Sequence, residues 1–162
     1  MSKKEDYTAD EWKAIAAAPF LAGLYVSMAD PSGLIGIAKE AMAIGKAISE
    51  SGTNAEIEVV RSLAESLKAG GFSARPELPD IPKHDRAAAR GAMADQLSKA
   101  VAVVAAKSPA EGEAYKAWLL TAATKAAEAA REGGFLGFGG TLVSEQEQAA
   151  MKELAGKLGV KV

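Results

Sequence analysis

Four segments of this chain place a hydroxyl residue three positions ahead of a glutamate: Thr8-x-x-Glu11, Thr53-x-x-Glu56, Ser108-x-x-Glu111 and Ser144-x-x-Glu147. At a helix start this spacing lets the hydroxyl accept from an early backbone N–H while the carboxylate reaches back to the N–H of the cap residue. Pro109 adds to the pattern, because a first helical position does not use the N–H that proline lacks. Helix starts marked this often leave little chain for a sheet, and no stretch reads as a strand. The expectation is an all-α fold, a single compact bundle of six or seven helices over residues 1–162.

Periodicity places the helices between those starts. The first runs from about Ala9 to Ala29 and is expected to kink or break near Pro19, which removes one helical hydrogen bond. After the turn Asp30-Pro31-Ser32, a second covers roughly Gly33 to Ser49, with Leu34, Ile37, Ala41, Ile44 and Ile48 on one face. A third spans about Ala55 to Lys68, where Ile57, Val60, Leu63, Ala64 and Leu67 oppose Glu58, Arg61 and Glu65. An Ala-rich helix over Asp85 to Lys107 follows, then one from Pro109 to Arg131 presenting Tyr115, Trp118, Ala122, Ala126 and Ala129. The last spans Glu145 to Leu158, with Ala150, Met151, Leu154 and Leu158 facing inward. Alanine, the commonest residue, favours helix and lets helices approach closely.

Residues 72–84, "FSARPELPDIPKH", carry three prolines and no period. Such a segment is a stiff linker, and it divides the chain into possible halves 8–71 and 85–160. Gly33-Leu34-Ile35-Gly36-Ile37 and Gly134-Phe135-Leu136-Gly137-Phe138 share one pattern. Trp12-Lys13-Ala14-Ile15 and Tyr115-Lys116-Ala117-Trp118 precede them at similar separations. Two related three-helix halves, with their Gly-rich turns as pseudo-twofold mates, are one reading of this echo. Chance recurrence of common residues is the other.

Composition excludes several functions. The net charge is −2 and the basic residues form no stripe beyond Lys3-Lys4, whereas nucleic-acid binding needs cations gathered against phosphates. There is no cysteine, which removes disulfides, thiolate metal sites and cysteine nucleophiles and agrees with a cytoplasmic location. The longest charge-free run, Ala14 to Ala29, has sixteen residues, short of the roughly 20 that cross a bilayer. It reads as a buried helix pair. His84, beside Asp85, is the single histidine, so a Ser-His-Asp site would have to use it. Paired Glu-x-x-His di-metal sites are excluded, and no cofactor is expected.

The loop "GGFLGFGG", residues 133–140, sets five glycines around three large apolar side chains. It is neither a phosphate loop nor a dinucleotide fingerprint, since no Gly-Lys-Ser/Thr and no preceding strand accompany it. Two readings remain. Phe135, Leu136 and Phe138 plug the end of the core, or Phe135, Leu136, Gly137 and Phe138 form a ligand or partner surface. Among acids, Asp30, Glu145 and Glu147 lie near the two Gly-rich turns, and oxygen donors of this type suit Ca²⁺ or Mg²⁺. Their places as a turn residue and first-turn helix residues are the stronger explanation, since negative charge is favoured there anyway.

Residues 140–160, "GTLVSEQEQAAMKELAGKLGV", resemble the closing helix of the TerB-like proteins associated with tellurite resistance, through Val143-Ser144-x-x-Glu147. The resemblance implies an all-helical fold and divalent-metal binding through acids near such turns. Glu147 is the one matching acid, and Gly139-Gly140 stands where that family has an acid–glycine pair.

With no catalytic constellation in view, the sequence suggests a small, non-enzymatic, cytoplasmic helical binding or interaction protein. Self-association or a protein partner is expected, and no nucleic acid. The alternatives are a divalent-metal-binding stress-related domain, or a peripheral membrane protein using Phe20, Leu21 and Leu24 or the loop as an apolar wedge.

Overall fold

Thr8 starts the first helix in the way its spacing demands. Its hydroxyl accepts from the Glu11 N–H at 3.2 Å, and the Glu11 carboxylate accepts from the Thr8 N–H at 2.7 Å. The structure is a computed structural model that describes residues 2–30, 37–53, 56–70, 77–82, 85–132 and 143–160. Among the described residues six α-helices follow one another: α1 (Ala9–Ser27), α2 (Ile37–Thr53), α3 (Glu58–Gly70), α4 (Arg86–Lys107), α5 (Pro109–Glu132) and α6 (Glu145–Leu158). A 3₁₀ turn, Lys4–Asp6, precedes α1. The described residues contain no strand, and the fold is an all-α bundle.

The caps are local chemistry. Asp85 Oδ1 accepts from the N–H groups of Ala87 and Ala88 at 2.9 and 3.0 Å and starts α4. Ser144 and Glu147 form a reciprocal box at α6, at 3.2 and 2.7 Å. Gly159 closes α6 at φ 71°, a left-handed conformation that glycine adopts without a Cβ penalty.

Two of the four expected boxes do something else. Thr53 ends α2 instead of starting α3, which begins at Glu58. Ser108 is the single residue between α4 and α5, and its N–H already donates to Val104 O at 2.7 Å. No donor is left there for Glu111. The Glu111 carboxylate turns outward from its own helix start and accepts from Ser2 N–H at 3.2 Å and Glu58 N–H at 2.6 Å. Glu111 therefore caps α3 across the fold.

α1 is the central element. It packs most extensively against α4 and α5, and also touches α2 and α6. Ile15, Ala17 to Gly23, and Tyr25 to Ser27 are buried, and a helix apolar all round is one that sits inside. This explains the charge-free run. No helix among the described residues is long and apolar enough to cross a membrane.

The expected pair of helices broken at Pro19 is one continuous helix. Proline at position 19 deprives the Ile15 carbonyl of its i+4 donor. The buried Tyr115 hydroxyl of α5 donates to that carbonyl at 3.2 Å. A side chain a hundred residues away thus satisfies the group that the proline leaves bare.

α2 lies on α3 and α5, α4 on α5, and α6 against α1, α4 and α5. One cluster of buried side chains draws on all six helices. The stretches on either side of residues 72–84 interleave through α1, which sits among α4, α5 and α6. Arg90 of α4 joins three elements. Its guanidinium lies 4.3 Å from the Tyr25 ring centroid of α1 and bonds Glu153 of α6 at 2.9 Å.

Candidate functional site

A groove of about 230 Å³ opens where α1, α2 and α3 meet beneath the 3₁₀ turn. Its floor follows from helical spacing. Trp12, Ala16 and Phe20 recur every four residues along one strip of α1. Leu63 and Leu67 take the same spacing on α3, and Ile48 of α2 closes the end. Ile48, Leu63 and Phe20 belong to the core, whereas Trp12, Ala16 and Leu67 are half-buried. The groove is therefore a place where the core's apolar surface reaches solvent.

Its polar lining is Lys4, Lys13 and Ser66. Lys4 leans over the Trp12 ring, with Nζ 5.9 Å from the centroid, within the range where a cation is drawn to a π face. Tyr7 packs against the far side of this corner, its ring tilted 39° to Trp12 at 5.9 Å. Neither Lys4 nor Lys13 pairs with a carboxylate among the described residues. Lys107, by contrast, bonds Glu11 at 2.8 Å.

A chain of polar contacts holds the walls. Glu111 is 4% exposed and bonds the backbone at both Ser2 and Glu58. It thereby ties the segment carrying Lys4 and the first turn of α3 to α5. The Ser2 hydroxyl bonds the Tyr7 hydroxyl. Lys107 Nζ donates to Asp6 O at 2.7 Å and lies 5.3 Å from the Tyr7 ring centroid. The Glu11 carboxyl is held below its usual range, first by Lys107 and then by the Thr8 N–H. Burial pushes the Tyr7 hydroxyl up, against the lowering effect of the Ser2 hydrogen bond.

Two hollows adjoin the groove. One, of about 690 Å³, continues past Lys4 and Ser66 and is lined by polar groups of both signs, including Lys3, Glu58 and Glu65. The other, of about 270 Å³, lies beyond Lys13, between α1 and the segment carrying Glu77, Leu78 and Pro79.

The sequence-derived site residues fall elsewhere. Phe135, Leu136, Gly137 and Phe138, with His84, lie outside the described residues. Phe20 and Leu21, expected as part of a membrane wedge, are buried at 7% and 1% exposure, and Leu24 packs against the core. Phe20 also lines the groove, and Leu21 the hollow beyond Lys13. Glu147 is buried and serves the Ser144 box, Glu145 is exposed in the first turn of α6, and Asp30 donates its N–H to Ser27 O in a turn. Among the described residues, no three His, Asp or Glu gather in a way that could hold a metal ion.

Sequence reasoning missed the groove. Trp12 with Ala16 and Phe20 was legible as a strip, but the partner strip on α3 faces it only through the tertiary fold. Comparison with protein-family models, curated proteins and solved structures finds no match to this chain.

Proposed function

We propose that this protein is a non-enzymatic helical binding protein whose receptor surface is the groove between α1, α2 and α3. The observation that carries the reading is an apolar recess with Trp12 at its mouth and few polar groups, the usual make-up of a ligand site. Its lining supplies apolar surface, two ammonium groups and one hydroxyl.

Naphthalene, a neutral probe, tests this reading through the two indole N–H resonances. Trp12 borders the groove and Trp118 is buried at 8% exposure. Saturable movement of the Trp12 resonance alone, lost in Ala16→Phe, is the expected result. No movement, or equal movement of both indoles, overturns it.

Self-association through the loop 133–140 is a separate reading on residues outside those described, and sedimentation of the chain and of Phe135→Ala/Phe138→Ala tests it. The divalent-cation reading has Glu147 as its matched acid, already engaged with the Ser144 N–H, and Ca²⁺ calorimetry addresses it.

A further inference from the structure

We infer that the groove takes an organic monoanion, a monocarboxylate with a compact apolar body, seated between Trp12, Phe20, Leu63 and Leu67 with its carboxylate met by Lys4 and Lys13. This inference rests on the reading of the groove as a binding site and adds the chemistry of the occupant.

Size sets the body. An engineered apolar cavity of about 150 Å³ accommodates benzene, so by proportion the groove's volume suits roughly nine carbon atoms. Charge sets the head. The only ionised groups in the lining are the two lysines. Elsewhere Lys107–Glu11, Lys116–Glu113 and Lys125–Glu50 pair at 2.8, 2.6 and 3.5 Å. Lys4 and Lys13 share one apolar recess without such a partner among the described residues. An anion there gains from both ammonium groups, an attraction that solvent and salt screen because both are exposed. A cation of the same body meets repulsion from both. Asp10 and Glu77 border the hollow beyond Lys13 and Glu5, Glu58 and Glu65 the cleft beyond Lys4. These acids stand outside the groove and disfavour an anion that extends past its mouth, which limits the ligand to one compact head.

Nonanoate, 1-nonanol and nonylammonium carry nine carbons each and differ in head charge, with nonanoate's alkyl chain one methylene the shorter, so that tighter binding of nonanoate cannot come from apolar area. Each is titrated below its aggregation concentration against the whole chain, with the Trp12 indole resonance as readout. The expected order is nonanoate tightest and nonylammonium weakest, with nonanoate binding weakened at high salt. Lys4→Ala/Lys13→Ala is expected to weaken nonanoate roughly tenfold, the scale of two exposed charge pairs, and to weaken nonanol clearly less, since for nonanol only the apolar stems of the two side chains are lost. Both lysines are exposed, and an unchanged melting temperature confirms that the variant is folded. Equal affinity for nonanoate and nonanol, or preference for nonylammonium, overturns the monoanion inference while the groove survives as an apolar site. Failure of all three probes together with naphthalene overturns both readings. Unsaturable binding of nonanoate overturns the inference as well, because it reports partition and not a site.

Discussion

At the scale of single residues, the fold depends on side chains that satisfy backbone groups far from them in sequence. Tyr115 and Pro19 are such a pair. Proline removes a donor from α1, and the Tyr115 hydroxyl supplies one to Ile15 O. Tyr115→Phe leaves a buried carbonyl bare and is expected to cost about 1–3 kcal/mol by urea denaturation. In a Pro19→Ala background the Ile15 carbonyl regains its helical donor, so the same substitution should cost measurably less. Equal cost in both backgrounds would show that the hydroxyl and the proline are uncoupled. Tyr25 illustrates the opposite case. Its hydroxyl is buried without a hydrogen bond of good geometry. Burial raises its pKa from 10.0 to about 12, with Glu153 adding and Arg90 opposing. Because the folded pKa lies above the unfolded one, the neutral hydroxyl's contribution is full below pH 10.0 and is lost as pH rises through about 12. Burial raises Tyr115 in the same direction. Tyr25→Phe should flatten the alkaline fall in denaturation midpoint, while changing stability near neutral pH by less than about 1 kcal/mol.

At the scale of elements, small residues decide how closely the helices meet. A Cβ on Gly23 of α1 would lie 2.6 Å from Ile44 Cδ1 of α2 and 3.1 Å from Ala126 Cβ of α5. Ile44 can rotate its end methyl, but the Ala126 Cβ moves only with its backbone. Gly23→Val, which adds two further carbons, is expected to destabilise by about 1–3 kcal/mol through overpacking. Gly91, inside α4, meets nothing within 4 Å. Gly91→Ala should therefore stabilise by up to about 1 kcal/mol, the difference in helix propensity. Thermal unfolding of both variants checks the contrast. Opposite signs mean that helix approach, and not glycine's weak propensity, explains its presence in α1.

At the scale of the molecule, Glu111 joins segments that the chain separates widely. One carboxylate receives the N–H of Ser2 and that of Glu58 from a position at the start of α5. Glu111→Ala leaves both donors without a partner. Hydrogen exchange should accelerate together at Ser2 to Tyr7 and in the first turn of α3, and naphthalene should bind the groove more weakly because both flanking segments loosen. Exchange that rises in only one of the two segments would show that the carboxylate does not couple them.

The starts of α1 and α6 and the inward faces of α5 and α6 were legible because they depend on spacing within a turn or two, whereas the α2–α3 boundary was misread, since Thr53 ends α2. Thr8-x-x-Glu11 and Ser144-x-x-Glu147 formed their boxes because each has its own helix start to itself. Ser108-x-x-Glu111 has the same letters but a different outcome, since the one-residue link between α4 and α5 commits the Ser108 N–H to α4. Of the kink or break expected at Pro19, the break does not occur, for a similar reason: a local rule counts the lost donor but cannot count the hydroxyl that replaces it. The groove belongs wholly to this second category. A strip on α1 becomes the wall of a recess only when a strip on α3 faces it, and Lys4 joins Lys13 in lining that recess only when the Lys4–Asp6 turn folds back over Trp12. Sequence alone determined what each segment could be, because hydrogen bonds within a helix span four residues. Tertiary structure decided which segments meet, because apolar surface is buried by whichever partner is nearest in space.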